Sequence, residues 1–393
     1  MMIKNIYRLM LLISVSLVCN NCVDEFEFGT QNFEDILVIE STITDELKFQ
    51  EVLISRTFRL ENDGPLAESN ATVSIVDDQQ VEYSFNETEP GKYVSANMFE
   101  AQVGRSYQLQ ITTNDGMSYS SRSSILPQKA QIDNLYAERV INDAGVEGIG
   151  IFVDSFDPTG NANFYRYKFD ETYQIIPPFW APIDIEIVSD NPPEVAIVPR
   201  VREERVCYKT VPSNNIILTS TNNLTENRVD RFMVHFIESD NVALRDRYSI
   251  LVEQLIQTSE AQEFYSTLKD FSDSESLFSQ VQPGFINGNI FSVNTPNENV
   301  LGFFEVVSVS SERIFVNLKD FIPSAVRPEF DGNCTAGSLF VETNVAIIID
   351  LVRRRGMRLA AFDGFTEEYT LTIPVCTDCT VSGTNIRPDF WED

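Results

Sequence analysis

The sequence predicts a mainly β protein: an N-terminal immunoglobulin-like β-sandwich, then a larger β-rich domain carrying one or two short helices. Two observations predict it. Short segments alternate apolar and polar residues with a period of two, as half-buried strands do. Turn signals recur roughly every ten residues, a spacing typical of all-β sandwiches. Of the 393 residues, 43% are hydrophobic and 11% aromatic, which suits a chain with real cores and not a disordered one.

The chain opens with a leader. Lys4 and Arg8 precede an apolar run from Leu9 to Val18, the charged and then apolar order of an export signal. The run falls short of the roughly 20 apolar residues that span a bilayer. "VAIIIDLV" (345–352) is also short, carries Asp350 and runs into three arginines. Two cysteines offer a thiol for a lipid at the cleavage point. Cutting before Cys19 leaves bulky Val18 as the last leader residue, whereas cutting before Cys22 leaves the smaller, polar Asn21. We assign residues 1–21 as a lipoprotein signal peptide, Cys22 as the lipid attachment site and 22–35 as an acidic tether. Asp24, Glu25 and Glu27 follow Cys22 directly. They resemble the signal that sends Bacteroidota lipoproteins to the outer face of the outer membrane. The protein is therefore expected at the outer membrane, lipid-anchored and facing the cell exterior.

Residues 36–126 read as the sandwich. "QVEYSFN" (80–86) places Val81, Tyr83 and Phe85 on one face, and "SYQLQIT" (106–112) does the same with Tyr107, Leu109 and Ile111. Pro90-Gly91 and Asn114-Asp115-Gly116 supply turns. Such a module is a spacer or a binding unit. "LPQKAQ" (126–131) reads as a linker to the second domain, 132–393. There "NFYRYKFD" (163–170) sets Tyr165, Tyr167 and Phe169 against Arg166, Lys168 and Asp170. The proline-rich "IIPPFWAP" and "DNPPEVAIVP" read as loops or edges, since proline cannot donate to a ladder. A helix is predicted near 259–271. Ser259 with Gln262 three residues on forms a capping box, and Ala261, Phe264, Tyr265, Leu268 and Phe271 share one face.

Asp and Glu outnumber Lys and Arg 59 to 29, a formal charge of −30 that becomes −32 once Lys4 and Arg8 leave with the leader. Such a surface repels nucleic acid and anionic head groups. No nucleic-acid partner is expected, and the membrane is reached through the N-terminal lipid. Stable anchoring needs more than one acyl chain, which a multiply acylated cysteine provides. Behind Cys22 stand Cys207, Cys334, Cys376 and Cys379. An even count in an exported chain points to disulfides, with three pairings open. The "CTDC" at 376–379 invites a redox or metal reading. However, it enters a segment without helical period, and Cys207 and Cys334 form no second close pair.

Several segments occur in one order: "ILVIESTITDE", "TEPGKYVS" followed by "VGRSYQLQI", "RYSILVEQL", "QPGFINGNI", "VLGFFEVVSVSSERIFV" and the ending "CTDCTVSGTNIRPDFW". Together they resemble the Bacteroidota lipoprotein family labelled domain of unknown function 4249, over about residues 22–391. The resemblance implies a gene beside a TonB-dependent outer-membrane receptor. The chain would then be an accessory binding or scaffolding subunit in nutrient uptake, with that receptor as its partner. The "CNN" ahead of Cys22 departs from the family's pattern. The family carries over no catalytic residues.

No catalytic residue and no metal site are assigned, and the chain is expected not to be an enzyme. Its single histidine, His235, excludes histidine-rich metal sites. With no G-x-S-x-G elbow to pair it with a serine, it reads as strand packing. A surface-tethered hydrolase using a carboxylate pair is one alternative, although among 59 acids any pair says little. A structural subunit of an outer-membrane assembly or secretion complex is another. No cofactor is expected beyond a candidate structural calcium. For that ion "DSFDPTGN" (154–161) and "DFSDSESLF" (270–278) offer oxygens without matching the EF-hand pattern. "RRRGMR" (353–358) is the densest positive cluster. Read as a hairpin tip, its Arg353, Arg354, Arg355 and Arg358 are either solvated or candidate contacts for an acidic partner or lipopolysaccharide phosphates. Tyr173, Phe179 and Trp180 around "TYQIIPPFW" contact a ligand or receptor, or fill a core.

Overall fold

The computed structural model describes residues 35–58, 64–273, 286–330, 332, 334, 339–342 and 345–392. Within them the chain is mainly β, with a few short helices, as the alternating patterns predict. The first region holds β1 (Leu37–Thr44), β2 (Glu51–Arg56), β3 (Leu66–Ala67), β4 (Thr72–Asp77), β5 (Glu82–Glu89), β6 (Lys92–Ser95), β7 (Ser106–Thr112), β8 (Ser118–Ser121) and β9 (Ser124–Ile125). Next come β10 (Asn134–Ile141), β11 (Glu147–Phe156), β12 (Phe164–Ile175), β13 (Ile183–Asp190), β14 (Pro193–Pro199), β15 (Cys207–Pro212), β16 (Ile217–Ser220), β17 (Arg228–Glu238) and β18 (Tyr248–Ile256). The order ends with α1 (Ser259–Asp273), β19 (Ile290–Ser292), β20 (Val300–Val316), α2 (Leu318–Phe321), β21 (Leu339–Glu342), α3 (Val345–Arg355), β22 (Arg358–Asp363) and β23 (Glu368–Thr372).

The largest sheet follows the path β15-β12-β18-β20-β1-β2-β6-β5-β4-β7-β8-β19. Its centre is β20, whose run "VLGFFEVVSV" is buried on both faces almost without break. Such a run is what a strand with parallel pairing and covered faces requires. Val300 to Val307 lie parallel to β1, with Leu37 opposite Val300 and Thr44 opposite Val307. Ser308 to Val316 then run antiparallel to β18, from Ser308 opposite Ile256 to Val316 opposite Tyr248. One strand therefore belongs to both halves of the protein.

The first core packs Ile39, Ile54, Val73, Tyr93 and Leu109 against Ile290 and Phe304. Tyr107, Leu109 and Ile111 point inward as their spacing predicts, whereas Val81 precedes β5 and is exposed. Strands β19 and β20 thus complete the core of the module read as 36–126. The predicted linker is pinned at both ends: Leu126 sits in this core and Ala130 in the next. The second core forms where the sheet β10-β11-β17 covers β12 and β18, with Ile149 and Ile151 meeting Tyr165, Tyr167 and Val252. A smaller third core lies between the β13–β14 hairpin and α3, β22 and β23, around Ile348, Leu351, Leu359 and Leu371.

Two local expectations need correction. Helix α1 is capped one residue earlier than the Ser259 box: Thr258 Oγ1 accepts the Ala261 N–H at 3.2 Å. Gln262 is taken up by Gln257 Nε2 at 2.8 Å. The arginine run is no hairpin tip. It ends α3, whose Ile348, Ile349 and Leu351 are buried, and Gly356 at φ 66° lets the chain turn into β22. Cations suit that end of a helix, where carbonyls lack partners.

The four cysteines form Cys207–Cys379 and Cys334–Cys376. The "CTDC" pair is therefore shared between two bridges, one tying the C-terminal segment to the start of β15. The first bridge closes a separation of 172 residues. Replacing both Cys207 and Cys379 by serine is expected to cost about 3–5 kcal/mol through the freed unfolded chain, read as a lowered urea midpoint. Gly302 supplies a second test. It adopts φ +147°, and a Cβ there would meet the Ile39 carbonyl oxygen at 2.1 Å. Gly302→Ala should lower stability by about 2 kcal/mol or more; an unchanged urea midpoint would contradict the close β1–β20 approach.

Candidate functional site

The two halves of the sheet meet beneath α1, and the meeting place is polar. Glu305 is the lone charge in the apolar first part of β20, opposite Thr42 of β1. Arg166 reaches it from β12, and the two side chains are only 2% and 7% exposed. One carboxylate oxygen, Oε1, accepts from Arg166 Nη2, from Thr42 Oγ1 at 2.9 Å and from Tyr265 Oη at 3.1 Å. Arg166 also donates through Nε to Gln257 Oε1 at 3.2 Å and lies 4.2 Å from the centre of the Tyr265 ring. Burial, and then the Glu305 charge, push the Tyr265 hydroxyl far above the usual phenol range, so it stays a donor. A buried charge left alone would be very costly, and here each charge faces its opposite. Glu305 Oε2 has no hydrogen-bond partner among the described residues.

Above this cluster lies a cavity of about 450 Å³. Its walls are Val38 of β1, Leu301 and Phe303 of β20, and Phe264 and Leu268 of α1. The predicted apolar face of α1 produces this arrangement: Ala261 and Phe264 are buried, and the Phe264 and Phe303 rings lie 5.1 Å apart. At the mouth stand Lys168, Asn214 and Asn215, all exposed. Asn214 and Asn215 lie between β15 and β16, which both pair with β12 and so fold this loop beside Lys168. Glu40 is the carboxylate in the lining, exposed on β1. The arrangement can enclose a small apolar group with a polar end.

The residues singled out in the sequence lie elsewhere. Cys22, Asp24, Glu25 and Glu27 fall outside the described residues. Cys207, Cys376 and Cys379 are fully buried in their bridges and Cys334 nearly so. Arg353 pairs with Asp190 at 2.8 Å, Arg354 with Asp350 at 3.1 Å and Arg358 with Asp184 at 3.3 Å. Three of the four arginines thus meet carboxylates of their own lobe, while Arg355 is exposed. His235 packs against Phe169 with the rings tilted and their centres 4.3 Å apart, and its Nε2 lies 3.4 Å from Glu171. Tyr173 fills the second core, while Phe179 and Trp180 are half-buried.

The first calcium candidate is a turn closed on itself. Asp157 accepts the N–H groups of Thr159, Asn161 and Ala162 at 2.7–2.9 Å. These bonds oppose the raising effect of burial and leave its carboxyl below the usual range. Asp154 receives the Arg231 N–H at 2.7 Å. The second candidate runs past residue 273, out of the described residues. Among the described residues, no group of three or more His, Cys, Asp or Glu side chains is placed to hold a metal. No described helix is long and apolar enough to cross a membrane.

A mainly β, disulfide-bonded protein with a cavity at a sheet junction is the class that this geometry defines. The comparisons name its family: the model for a domain of unknown function (DUF4249) matches residues 23–313, and the chain belongs to that family. No curated protein matches. Among solved structures, the chain is similar to a DUF4785 family protein from Legionella pneumophila subsp. pneumophila str. Philadelphia 1. The identity is 8%, the TM-score 0.16, and the match covers 55% of this chain and half of that one. So distant a likeness carries no functional argument.

The Arg166–Glu305 pair escaped the sequence reading, although a single acid inside an apolar strand was a usable signal. Arg166→Met is expected to cost about 3–5 kcal/mol by stranding the buried carboxylate. Adding Glu305→Leu should recover most of that loss in urea denaturation. Losses that simply add would disprove the coupling.

Proposed function

We propose that this chain is a surface-exposed outer-membrane lipoprotein, anchored through Cys22, that works as a non-enzymatic binding or scaffolding subunit beside a TonB-dependent receptor in nutrient uptake. The observation that carries the reading is the order of the first residues: two cations, an apolar run, then Cys22 with Asp24, Glu25 and Glu27 behind it. Membership of the family is consistent with this, as is the strong negative charge, which leaves a lipid as the means of holding the protein at a membrane. The site chemistry supports a binding role over catalysis. Glu305, the buried carboxylate at the cavity, is matched by Arg166 and two hydroxyl donors. Its partners are a guanidinium and two hydroxyls, whereas a glycosidase needs two facing carboxyl groups.

The test is made in intact cells. Labelled palmitate should enter the wild-type protein and not Cys22→Ala, added proteinase should remove the wild-type protein from the surface, and affinity capture should recover a TonB-dependent receptor. An unlabelled wild-type protein would end the anchored reading. Capture of an assembly or secretion machine in place of a receptor would move the chain to a structural role.

A further inference from the structure

The cavity under α1 has a wall chemistry that selects a class of ligand. We propose that it binds a small apolar monocarboxylic acid, with the hydrocarbon part against Val38, Leu301, Phe303, Phe264 and Leu268 and the carboxylate at Lys168. This deepens the binding role just proposed and rests on it.

Volume and charge argue together. About 450 Å³ lies within the range of small-molecule sites, and the apolar walls come from three separate elements, β1, β20 and α1. Among the described residues, three charged side chains line the cavity: Glu40, Arg166 and Lys168. The Arg166 guanidinium turns inward to Glu305 and Gln257, so its charge is already matched. Glu40 is exposed on the same face of β1 as Val38 and Thr42, where water screens its charge. Lys168 has no ion pair among the described residues, although it lies in register with Glu253 of β18. Although the residue is exposed, desolvation of its amine, and then Arg166, pull it below the usual lysine range, against the opposing charges of Glu305 and Glu253. An ammonium so placed gains from an added anion. The Lys168 amine, left unpaired among the described residues, supplies a single positive point charge, which one carboxylate matches. Asn214 and Asn215 stand at the same mouth with amide donors.

The experiment is titration calorimetry at pH 7 on the full chain carrying Cys22→Ala, which takes no lipid, with decanoate, decanol and decylammonium as probes. Decanoate is expected to bind roughly tenfold or more tightly than either of the others. Lys168→Gln, an exposed change, should remove that preference while leaving decanol binding as it was. Leu268→Trp, which fills the cavity, should weaken all three probes. The proposal is overturned by any of three results: no heat with decanoate, equal binding of decanoate and decylammonium, or a decanoate preference that survives Lys168→Gln. Binding here is measured without the anchor. Failure of palmitate labelling would leave this result standing, and failure of decanoate binding would leave the anchored reading untouched.

Discussion

The parallel pairing of β1 with the first half of β20 is the constraint on which the rest of the structure depends. It joins positions such as Thr42 and Glu305, separated by 263 residues, so the chain closes a very long loop before that pairing contributes anything. Non-local pairing of this kind is entropically demanding. Burial on both faces of the same strand offsets it: Phe304 and Val306 enter the first core, Phe303 meets α1, and Val316 reaches the second core. A strand with covered faces must be apolar nearly throughout, and the run "VLGFFEVVSV" meets that requirement apart from Ser308 and one charged exception, Glu305.

That exception organises the candidate site. Placing a carboxylate in an apolar strand demands donors of matching charge, and Arg166, Thr42 and Tyr265 come from three different elements to supply them. The same contacts hold α1 in one position over the seam. The hydrogen bonds add a directional constraint that a purely apolar contact lacks. The cavity exists because α1 is held there, leaving space between its Phe264–Leu268 face and the sheet.

The C-terminal lobe is built on a different principle. Its own apolar core is small, and covalent and ionic ties supplement it. The two halves of "CTDC" reach Cys207 and Cys334, and the buried Arg200 meets both Glu204 and the Thr377 carbonyl oxygen. Arg353 at the end of α3 and Arg358 at the start of β22 face Asp190 and Asp184 of the neighbouring hairpin. This is consistent with small modules needing staples where apolar burial is limited.

Period-two patterns made most strands legible. Tyr107, Leu109 and Ile111, and likewise Tyr165 and Tyr167, face inward as read, because burial on one face leaves its mark residue by residue. The packing face of α1 was legible for the same reason. The arginine run was misplaced even though Val345, Ile348, Ile349 and Val352 carry a helical spacing, because a short apolar stretch suits a strand equally well. The site was the least visible part: one acid in an apolar strand hints at a partner, but nothing in the sequence names Arg166, 139 positions away. By itself, then, the sequence determined the β class, the strand faces and the charge, since each is written locally in residue type and spacing. Only the tertiary structure decided the sharing of β20, the two disulfide pairings and the Arg166–Glu305 floor of the cavity. Those depend on which distant segments meet, and local spacing carries no information about that.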